Sequence, residues 1–217
     1  MLIGSALAAV GVFAAMLIAY KLHWEPLTRF DDAALKPARR FGHAHHGWVV
    51  FWNVYCTVLG PTVFRLAAVV VIVIAFARRN VRTAMFLIVS VELCGLVTEV
   101  AKTLVHRPRP SSALVHAASS SFPSGHALGV MVGVAALLTV GLPLVHPAKR
   151  AWLIALGVAV IVSIGAGRVI LNVHHPSDVI AGWALGWAYF VVCLLVVRPI
   201  RPITQPDEIP AAPDTAR

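Results

Sequence analysis

Charged side chains are scarce in this chain of 217 residues: Lys, Arg, Asp and Glu together make up 12% of it. Soluble domains contain about 25% charged residues, so water is excluded as the main solvent of this surface. Hydrophobic residues make up 59% of the sequence. They form runs close to the roughly 20 residues that a helix needs to cross a bilayer. The sequence therefore predicts an all-α, polytopic membrane protein.

Cysteine is also rare, and its pattern excludes two kinds of site. The three cysteines are scattered through apolar surroundings without a Cys-x-x-Cys pair, which argues against disulfides and a structural zinc site. The nine acidic residues form no carboxylate cluster, and the histidines do not join carboxylates into ligand sets inside the apolar runs. We therefore predict no metal and no other cofactor, and we disfavour a histidine-rich metal transporter.

The basic balance of the chain, a formal net charge of +9, raises nucleic acid as a partner. No basic stripe with interleaved aromatic residues accompanies this charge. Cationic loops beside anionic lipid headgroups are the better explanation of it. We predict membrane lipids as partners, with no nucleic acid and no obligate protein partner.

Six apolar runs predict a bundle of six transmembrane helices, at residues 2–20, 61–76, 82–104, 124–140, 151–169 and 176–197. The polar segment 21–46 is predicted to lie along the headgroups as loop and amphipathic helix. The aromatic-rich segment 47–59 is too short to count alone as a span. Residues 1–199 thus form one membrane domain with its core at 60–197. The proline-rich tail 200–217 is predicted to be disordered and cytoplasmic.

Orientation is predicted from the positive-inside rule, since six spans place both termini on one side. The turns and tail on that side contain eight Lys and Arg residues, against nine on the other side. Three of the nine, Lys102, Arg109 and Arg168, are candidates for chemistry, and setting them aside leaves six. We predict a multi-pass protein of the plasma membrane with cytoplasmic termini and a site that faces the periplasm or the outside.

Three polar clusters fall at the same membrane face because successive spans alternate in direction. They are "KTLVHRPRP" at residues 102–110, "PSGH" at 123–126 and "GRVILNVHHPSD" at 167–178. Each cluster lies at the end of one span or the start of the next. Topology alone therefore predicts that they form one site.

The charged and helix-terminal groups of these clusters suit an anion. Ser124 is placed to cap a helix, which leaves backbone N–H groups such as that of Gly125 pointing outward. A helix N-terminus surrounded by cations is well matched to phosphate, and the guanidinium fork binds phosphate oxygens in pairs. The three cations are Lys102, Arg109 and Arg168.

Two histidines and one carboxylate complete the predicted site. Asp178 follows His174 by four residues, and a carboxylate on one ring nitrogen leaves the other free to attack. His126 lies in the first turn of a span, where it can give a proton to a leaving oxygen. This set of residues predicts covalent phosphoryl transfer.

The order and spacing of these residues resemble the three signatures of the type-2 phosphatidic acid phosphatase superfamily, which comprises integral membrane lipid phosphatases. The resemblance covers residues 29–197 and rests on Lys102–x6–Arg109–Pro110, Pro123–Ser124–Gly125–His126 and Arg168–x5–His174–x3–Asp178. One position departs from the family pattern. Gly167 stands where the family usually has Ser, so one hydroxyl contact to phosphate is in doubt.

The resemblance implies a role for each residue. His174 would become phosphohistidine, Asp178 would orient it, and His126 would protonate the leaving group and later activate water. The phosphate oxygens would be bound by Lys102, Arg109, Ser124, Gly125 and Arg168. The family needs no metal.

The implied enzyme is a phosphatase for a lipid phosphate or diphosphate. Its candidate substrates are a polyprenyl diphosphate such as undecaprenyl diphosphate, phosphatidylglycerol phosphate and phosphatidic acid. Two alternatives stay open: a phosphotransferase that uses the same phosphohistidine, and a non-catalytic lipid transporter.

Four charged side chains and a histidine fall outside the signatures. Arg107 is predicted to be a snorkelling anchor at the membrane edge. Charges inside spans are costly, so Arg65 and Glu99 are predicted to pair near the catalytic face, and Glu92 to pair or hydrogen-bond between helices. His175 is predicted to be a spectator beside His174.

Overall fold

Long apolar helices make up most of the structure, a computed structural model that describes residues 1–117 and 119–199. Within those residues the chain is helical and has no strand, which confirms the all-α prediction. The α-helices are α1 (Leu2–Lys21), α2 (Glu25–Ala44), α3 (His46–Val58), α4 (Pro61–Ala77), α5 (Val81–Leu87), α6 (Cys94–Val105), α7 (Gly125–Gly141), α8 (Pro147–Ile170) and α9 (Pro176–Val197). A π-helical segment, Ile88–Glu92, joins α5 to α6, and a 3₁₀ turn, Leu142–Leu144, follows α7. The predicted tail 200–217 lies outside the described residues.

Six helical segments are long and apolar enough to cross a membrane, as the sequence predicted. The second of them is longer than expected, because α3 and α4 run on as one segment, His46–Ala77. Gly60 is extended and Pro61 occupies the first helical position, so the break between α3 and α4 is a short interruption. The fifth segment also begins early: Pro147 starts α8 directly after His146, where the sequence predicted a turn.

Helix α2 is the amphipathic helix predicted between the first two spans. Leu27 and Leu35 are buried on its inward face, while exposed ion pairs stabilise its outer face, among them Lys36 with Asp32 at 2.8 Å. Asp31 lies midway between the two leucines at i+4 spacing, and it is 2% exposed. A carboxylate is therefore buried on the apolar face of α2.

Close packing of α7 against α9 places two helix N-termini side by side. A Cβ built at Gly182 of α9 would lie 2.6 Å from the Ser124 carbonyl oxygen, so a larger residue would push the helices apart. The Ser124 N–H donates to the Asp178 carbonyl at 2.9 Å. The start of α7, the start of α9 and the ends of α6 and α8 thus meet at one end of the bundle.

The charged pair inside the spans differs from the prediction. Arg65 of α4 lies 3.2 Å from Glu92, so the predicted partner, Glu99, is wrong. Glu92 ends the π-helical segment, whereas Glu99 lies seven residues further, about 10 Å along a helix. Arg65 therefore reaches the nearer carboxylate, and the prediction that Glu92 pairs is confirmed.

Candidate active site

Two cations of the first cluster converge on a single oxygen atom. The ammonium group of Lys102, in the last turn of α6, lies 2.7 Å from the hydroxyl oxygen of Ser119. Nη2 of Arg109 lies 3.3 Å from the same oxygen, and Nε of Arg109 donates to the Ser119 carbonyl at 2.7 Å. Because both side chains reach one neutral oxygen, they are placed to reach an anionic one together.

The third cation, Arg168, lies in the last turn of α8 and is 8% exposed. Its Nε is buried and has no hydrogen-bond partner in the described part of the chain. The Arg168 carbonyl accepts hydrogen bonds from the backbone N–H groups of Val173 and His174 at 3.2 and 3.3 Å, which ties the cation to the histidine loop. An unpaired buried donor is costly, so an anion bound there would stabilise the site.

Gly167 lies directly before Arg168, where the family resemblance predicts Ser. A Cβ built at Gly167 would lie 2.5 Å from Sγ of Cys56 and 2.8 Å from the ring of Trp52, both in α3. These two side chains fill the space that a serine would need. The packing of α3 against α8 therefore explains why a glycine, which has no hydroxyl, stands at this position.

The N-terminus of α7 faces Lys102. Ser124 is the N-cap and accepts a hydrogen bond from the Ala127 N–H at 3.5 Å, which confirms the predicted cap. The first N–H groups of a helix have no partner within it, and together they form the positive end of its dipole. A Cβ built at Gly125 would lie 3.8 Å from the ammonium nitrogen of Lys102. The helix terminus and the cation thus share one space.

The ring of His174 is held at both nitrogens. Nδ1 lies 2.8 Å from the carbonyl oxygen of Ser121, and Nε2 lies 3.3 Å from Nη1 of Arg109. A carbonyl oxygen only accepts, so Nδ1 must carry the proton. In the neutral ring the lone pair is then on Nε2, which faces the cations.

Asp178 does not hydrogen-bond directly to His174, whereas the sequence predicted that it orients the ring directly. Its Oδ2 lies 3.7 Å from Nδ1 of His174, which is longer than a hydrogen bond. The same oxygen accepts from the Ser121 hydroxyl and from the backbone N–H of His175 at 2.8 Å. Asp178 therefore holds Ser121, and the Ser121 carbonyl holds His174.

This arrangement predicts the protonation state of His174. Burial lowers the pKa of its ring, and the nearby Asp178 carboxylate offsets only part of this effect, so the pKa is about 4. The neutral, Nδ1-protonated ring should therefore persist down to about pH 5 and be lost as the pH falls through the pKa. ¹⁵N-histidine NMR in detergent, with His174→Gln for assignment, should show an unprotonated Nε2 from pH 7 to pH 5. A ring that titrates near the ordinary value of 6.5 would contradict this geometry.

His126 lies in the first turn of α7, close to the start of α4. A Cβ built at Gly60 would lie 3.4 Å from Nε2 of His126, so the absence of a side chain at Gly60 leaves room beside the ring. The ring follows Gly125 directly, which faces Lys102. The His126 ring thus lies beside Gly60, and its backbone follows the glycine that faces Lys102.

One buried charge in this region, Arg107, was misread from the sequence, and another, Asp31, was missed. Arg107 is 7% exposed and bonds to Asp178 and Asp31, so its prediction as a snorkelling anchor is wrong. His175 also contacts Asp178, since its Nδ1 lies 3.1 Å from the Asp178 carboxylate. One signal was available: an acidic residue between Leu27 and Leu35 on the apolar face of an amphipathic helix requires a buried partner.

The assembled site combines three cations, a helix N-terminus and a histidine whose unprotonated nitrogen faces Arg109. Such a site can bind a phosphoryl group, attack it and stabilise the charge that develops on its oxygens. No group of three or more His, Cys, Asp or Glu side chains able to hold a metal occurs in the described residues.

Comparison with known proteins identifies the relatives of the chain. The sequence profile of the PAP2 superfamily matches residues 83–202. Phosphatidylglycerophosphatase B of Bacillus subtilis is 31% identical over 180 residues, which are 81% of this chain and 87% of the relative.

Two further relatives match shorter regions. An undecaprenyl-diphosphatase of Sulfolobus acidocaldarius is 34% identical over 59% of this chain and 63% of its own length. A lipid A 1-phosphatase of Rhizobium etli is 32% identical, and the match covers about half of each chain: 52% of this one and 50% of the relative.

The fold matches one of known structure. A transmembrane PAP2-type phosphatidylglycerolphosphate phosphatase from Bacillus subtilis aligns with a TM-score of 0.63 at 24% identity, over 90% of this chain and 98% of that one. This likeness shows a shared fold and is independent of the side-chain geometry described above.

Proposed function

Because the chain belongs to the PAP2 superfamily, we propose that it is a membrane phosphatase that hydrolyses a phosphomonoester or diphosphate of a lipid. The observation that carries the proposal is the convergence of Lys102 and Arg109 on one oxygen, beside the unprotonated nitrogen of His174, which accepts a hydrogen bond from Arg109. The three relatives described above are named as lipid phosphatases, which supports the lipid substrate class.

The reaction proceeds in two displacements. The lone pair on Nε2 of His174 attacks phosphorus, a P–N bond forms, and the P–O bond to the lipid breaks. His126 gives its proton to the departing oxygen. Water then attacks the phosphohistidine while His126 takes a proton, the P–N bond breaks, and phosphate leaves. Nε2 recovers its electron pair.

The cations provide the electrostatic part of catalysis. Lys102, Arg109 and Arg168 bind the equatorial oxygens together with Ser124 and the Gly125 N–H, where charge develops in the transition state. Positive charge from side chains replaces the charge that a metal ion supplies in other phosphatases. We therefore infer that the reaction is independent of metal.

Access for the headgroup is available beside Arg109. A cavity of about 630 Å³ lies between α2 and residues 107–112, and Arg109 and His175 line it. The apolar tails of a lipid can remain in the bilayer while its phosphate enters the cationic site. The cavity is large enough for a headgroup.

The charge distribution supports a site on the outer face. Arg107 is buried in an ion network, so it does not count among the exposed positive charges that determine orientation. The side of the membrane with the site then has five such Lys and Arg residues, against eight on the side with the termini. Under the positive-inside rule this count supports cytoplasmic termini and a site that faces the periplasm or the outside of a plasma membrane.

The experiment for this proposal uses the purified full chain in detergent with the three candidate lipids. Free phosphate should appear from at least one of them, at a rate that excess EDTA leaves unchanged. Loss of activity in EDTA with recovery in zinc would contradict metal independence. Transfer of phosphate to an alcohol instead of water would indicate a phosphotransferase, and no turnover of any candidate would leave a lipid transporter as the better account.

A further inference from the structure

Four charged and polar side chains form a buried network behind the site. Asp31 of α2 and Asp178 of α9 are 2% and 0% exposed, and Arg107 lies between them. Nη1 of Arg107 donates to Asp178 at 2.7 Å, and Nη2 donates to Asp31 at 2.8 Å. The hydroxyl of Ser177 completes the group, with Nη1 of Arg107 at 2.7 Å. One guanidinium thus binds two carboxylates from different helices.

Asp31 also fixes the beginning of α9. Its Oδ1 accepts from the Ser177 backbone N–H at 2.9 Å, and its Oδ2 accepts from the Ser177 hydroxyl at 2.7 Å. An anion at this position satisfies a free N–H of the helix terminus and interacts favourably with its dipole. Asp31 therefore holds both Arg107 and the helix turn that carries Asp178.

Arg107 is in turn fixed from two other directions. Its guanidinium lies over the Tyr20 ring at 4.7 Å, and its carbonyl accepts from the Ser121 N–H at 2.8 Å. Ser121 is the residue whose carbonyl accepts from Nδ1 of His174. The backbone and the side chain of Arg107 consequently reach both supports of the nucleophile, Ser121 and Asp178.

From these contacts we propose that Asp31 and Arg107 are positioning residues for His174, acting through Asp178 and Ser121. The network reaches the catalytic ring by hydrogen bonds at every step: Asp31 to Arg107, Arg107 to Asp178, Asp178 to the Ser121 hydroxyl, and the Ser121 carbonyl to Nδ1. A ring held this way keeps its lone pair directed at the phosphoryl group.

Asp31 belongs to α2, which lies outside the region matched by the family profile. The amphipathic helix therefore contributes to the geometry of the nucleophile from the interface. The role of Asp31 as a positioning residue rests on the proposed function, because it assumes that His174 attacks phosphorus.

Asp31→Asn is the sharpest test, because the amide keeps the shape of the side chain and leaves the Arg107–Asp178 pair in place. The amide has one acceptor oxygen where the carboxylate has two, so an NH₂ donor faces either Arg107 or the Ser177 N–H, and one of the two bridges is lost. Misplacing a reacting group by about 1 Å costs on the order of 100-fold in rate. We expect kcat for a lipid phosphate to fall about tenfold to 100-fold, with KM within about twofold of the wild-type value.

The matched control is Glu25→Gln, on the same helix. Glu25 pairs with the exposed Arg29 and lies outside both the network and the cavity beside Arg109, so this variant should keep the wild-type kcat. Rates are expressed per active site, from titration of the phosphoenzyme, so that a smaller folded fraction does not count as slower chemistry. Equal kcat in Asp31→Asn and Glu25→Gln, with only a lower Tm in the former, would overturn the proposal.

A double-mutant cycle with Arg107→Gln tests whether Asp31 acts through Arg107. Residues in one network are non-additive, so Asp31→Asn should have little further effect on kcat in the Arg107→Gln background. Full additivity of the two effects contradicts the proposed route. If Arg107→Gln does not fold, Arg107→Lys serves instead, because one ammonium group cannot hold both carboxylates in the same geometry.

¹⁵N-histidine NMR gives an answer that does not depend on turnover. In Asp31→Asn the His174 ring should lose its single Nδ1-protonated form and populate both tautomers, while Glu25→Gln should keep the wild-type spectrum. An unchanged His174 signal in Asp31→Asn overturns the positioning role even if the substrate proposal holds. Absent turnover in the wild-type protein, with a changed signal in Asp31→Asn, sinks the substrate proposal and leaves the network intact.

Discussion

His174→Gln is expected to abolish phosphate release, with a loss of about 10⁴-fold or more in kcat. Glutamine keeps a polar side chain of similar length, and its amide can still donate to the Ser121 carbonyl. It has no nucleophilic lone pair on nitrogen, so no covalent intermediate forms. Phosphate release from a lipid phosphate in detergent, measured per folded molecule, tests this result.

The control for this substitution is His43→Gln, which changes an exposed histidine on α2. It should keep wild-type turnover. The His174→Gln protein should still bind inorganic phosphate, because the cations and the α7 N-terminus are unchanged. Turnover within about tenfold of wild type in His174→Gln would show that this histidine is not the nucleophile.

His126→Gln is expected to affect lipid phosphates and p-nitrophenyl phosphate in different ways. A lipid alkoxide needs a proton in order to leave, so the first displacement should slow by about 10²- to 10⁴-fold. Nitrophenolate leaves without a proton, so the first displacement should remain fast. Water attack on the phosphohistidine still lacks its base, and the phosphoenzyme should accumulate.

Stopped-flow detection of nitrophenolate separates the two steps in this variant. We expect a burst of about one equivalent per active site, followed by slow turnover, whereas His43→Gln should behave as wild type. Equal slowing of both substrates without a burst would contradict the acid and base roles of His126. Undiminished turnover of both substrates would show that His126 is not required.

The spans and the meeting of the three clusters could be predicted because both follow from local patterns. Apolar runs define helices that cross a bilayer, and alternation of their direction brings residues 102–110, 123–126 and 167–178 to one end. The same reasoning placed the N-cap at Ser124. It failed at the break between α3 and α4, since Gly60 and Pro61 are typical of a turn but here interrupt a longer segment.

The partners of the buried charges could not be predicted, because they depend on contacts between distant parts of the chain. Arg107 bonds to Asp31, which is 76 residues away, and to Asp178, which is 71 residues away. No local pattern distinguishes such an arginine from one that extends to the headgroups. Arg65 likewise pairs with the carboxylate that the π-helical segment presents to it.

The sequence correctly predicted that Asp178 lies near His174, but it did not predict which group accepts the hydrogen bond from the ring. The i, i+4 spacing does bring Asp178 near His174, but hydrogen bonds from Ser121 and His175 already occupy its Oδ2. A backbone carbonyl, which sequence reasoning does not see, takes Nδ1 instead. Gly167 shows the same limit, because its absent side chain is explained by Cys56 and Trp52 in a different helix.

The central claim is that Nε2 of His174 carries the phosphoryl group during turnover. A direct test mixes the wild-type protein with a ³²P-labelled lipid phosphate and quenches the reaction rapidly with base. The labelled protein is then digested, and its peptides are mapped at alkaline pH. We expect a label that is stable in base, labile in acid and confined to the peptide that contains His174, with none in His174→Gln. Label on another residue, or steady phosphate release with no labelled protein at any time, would contradict it.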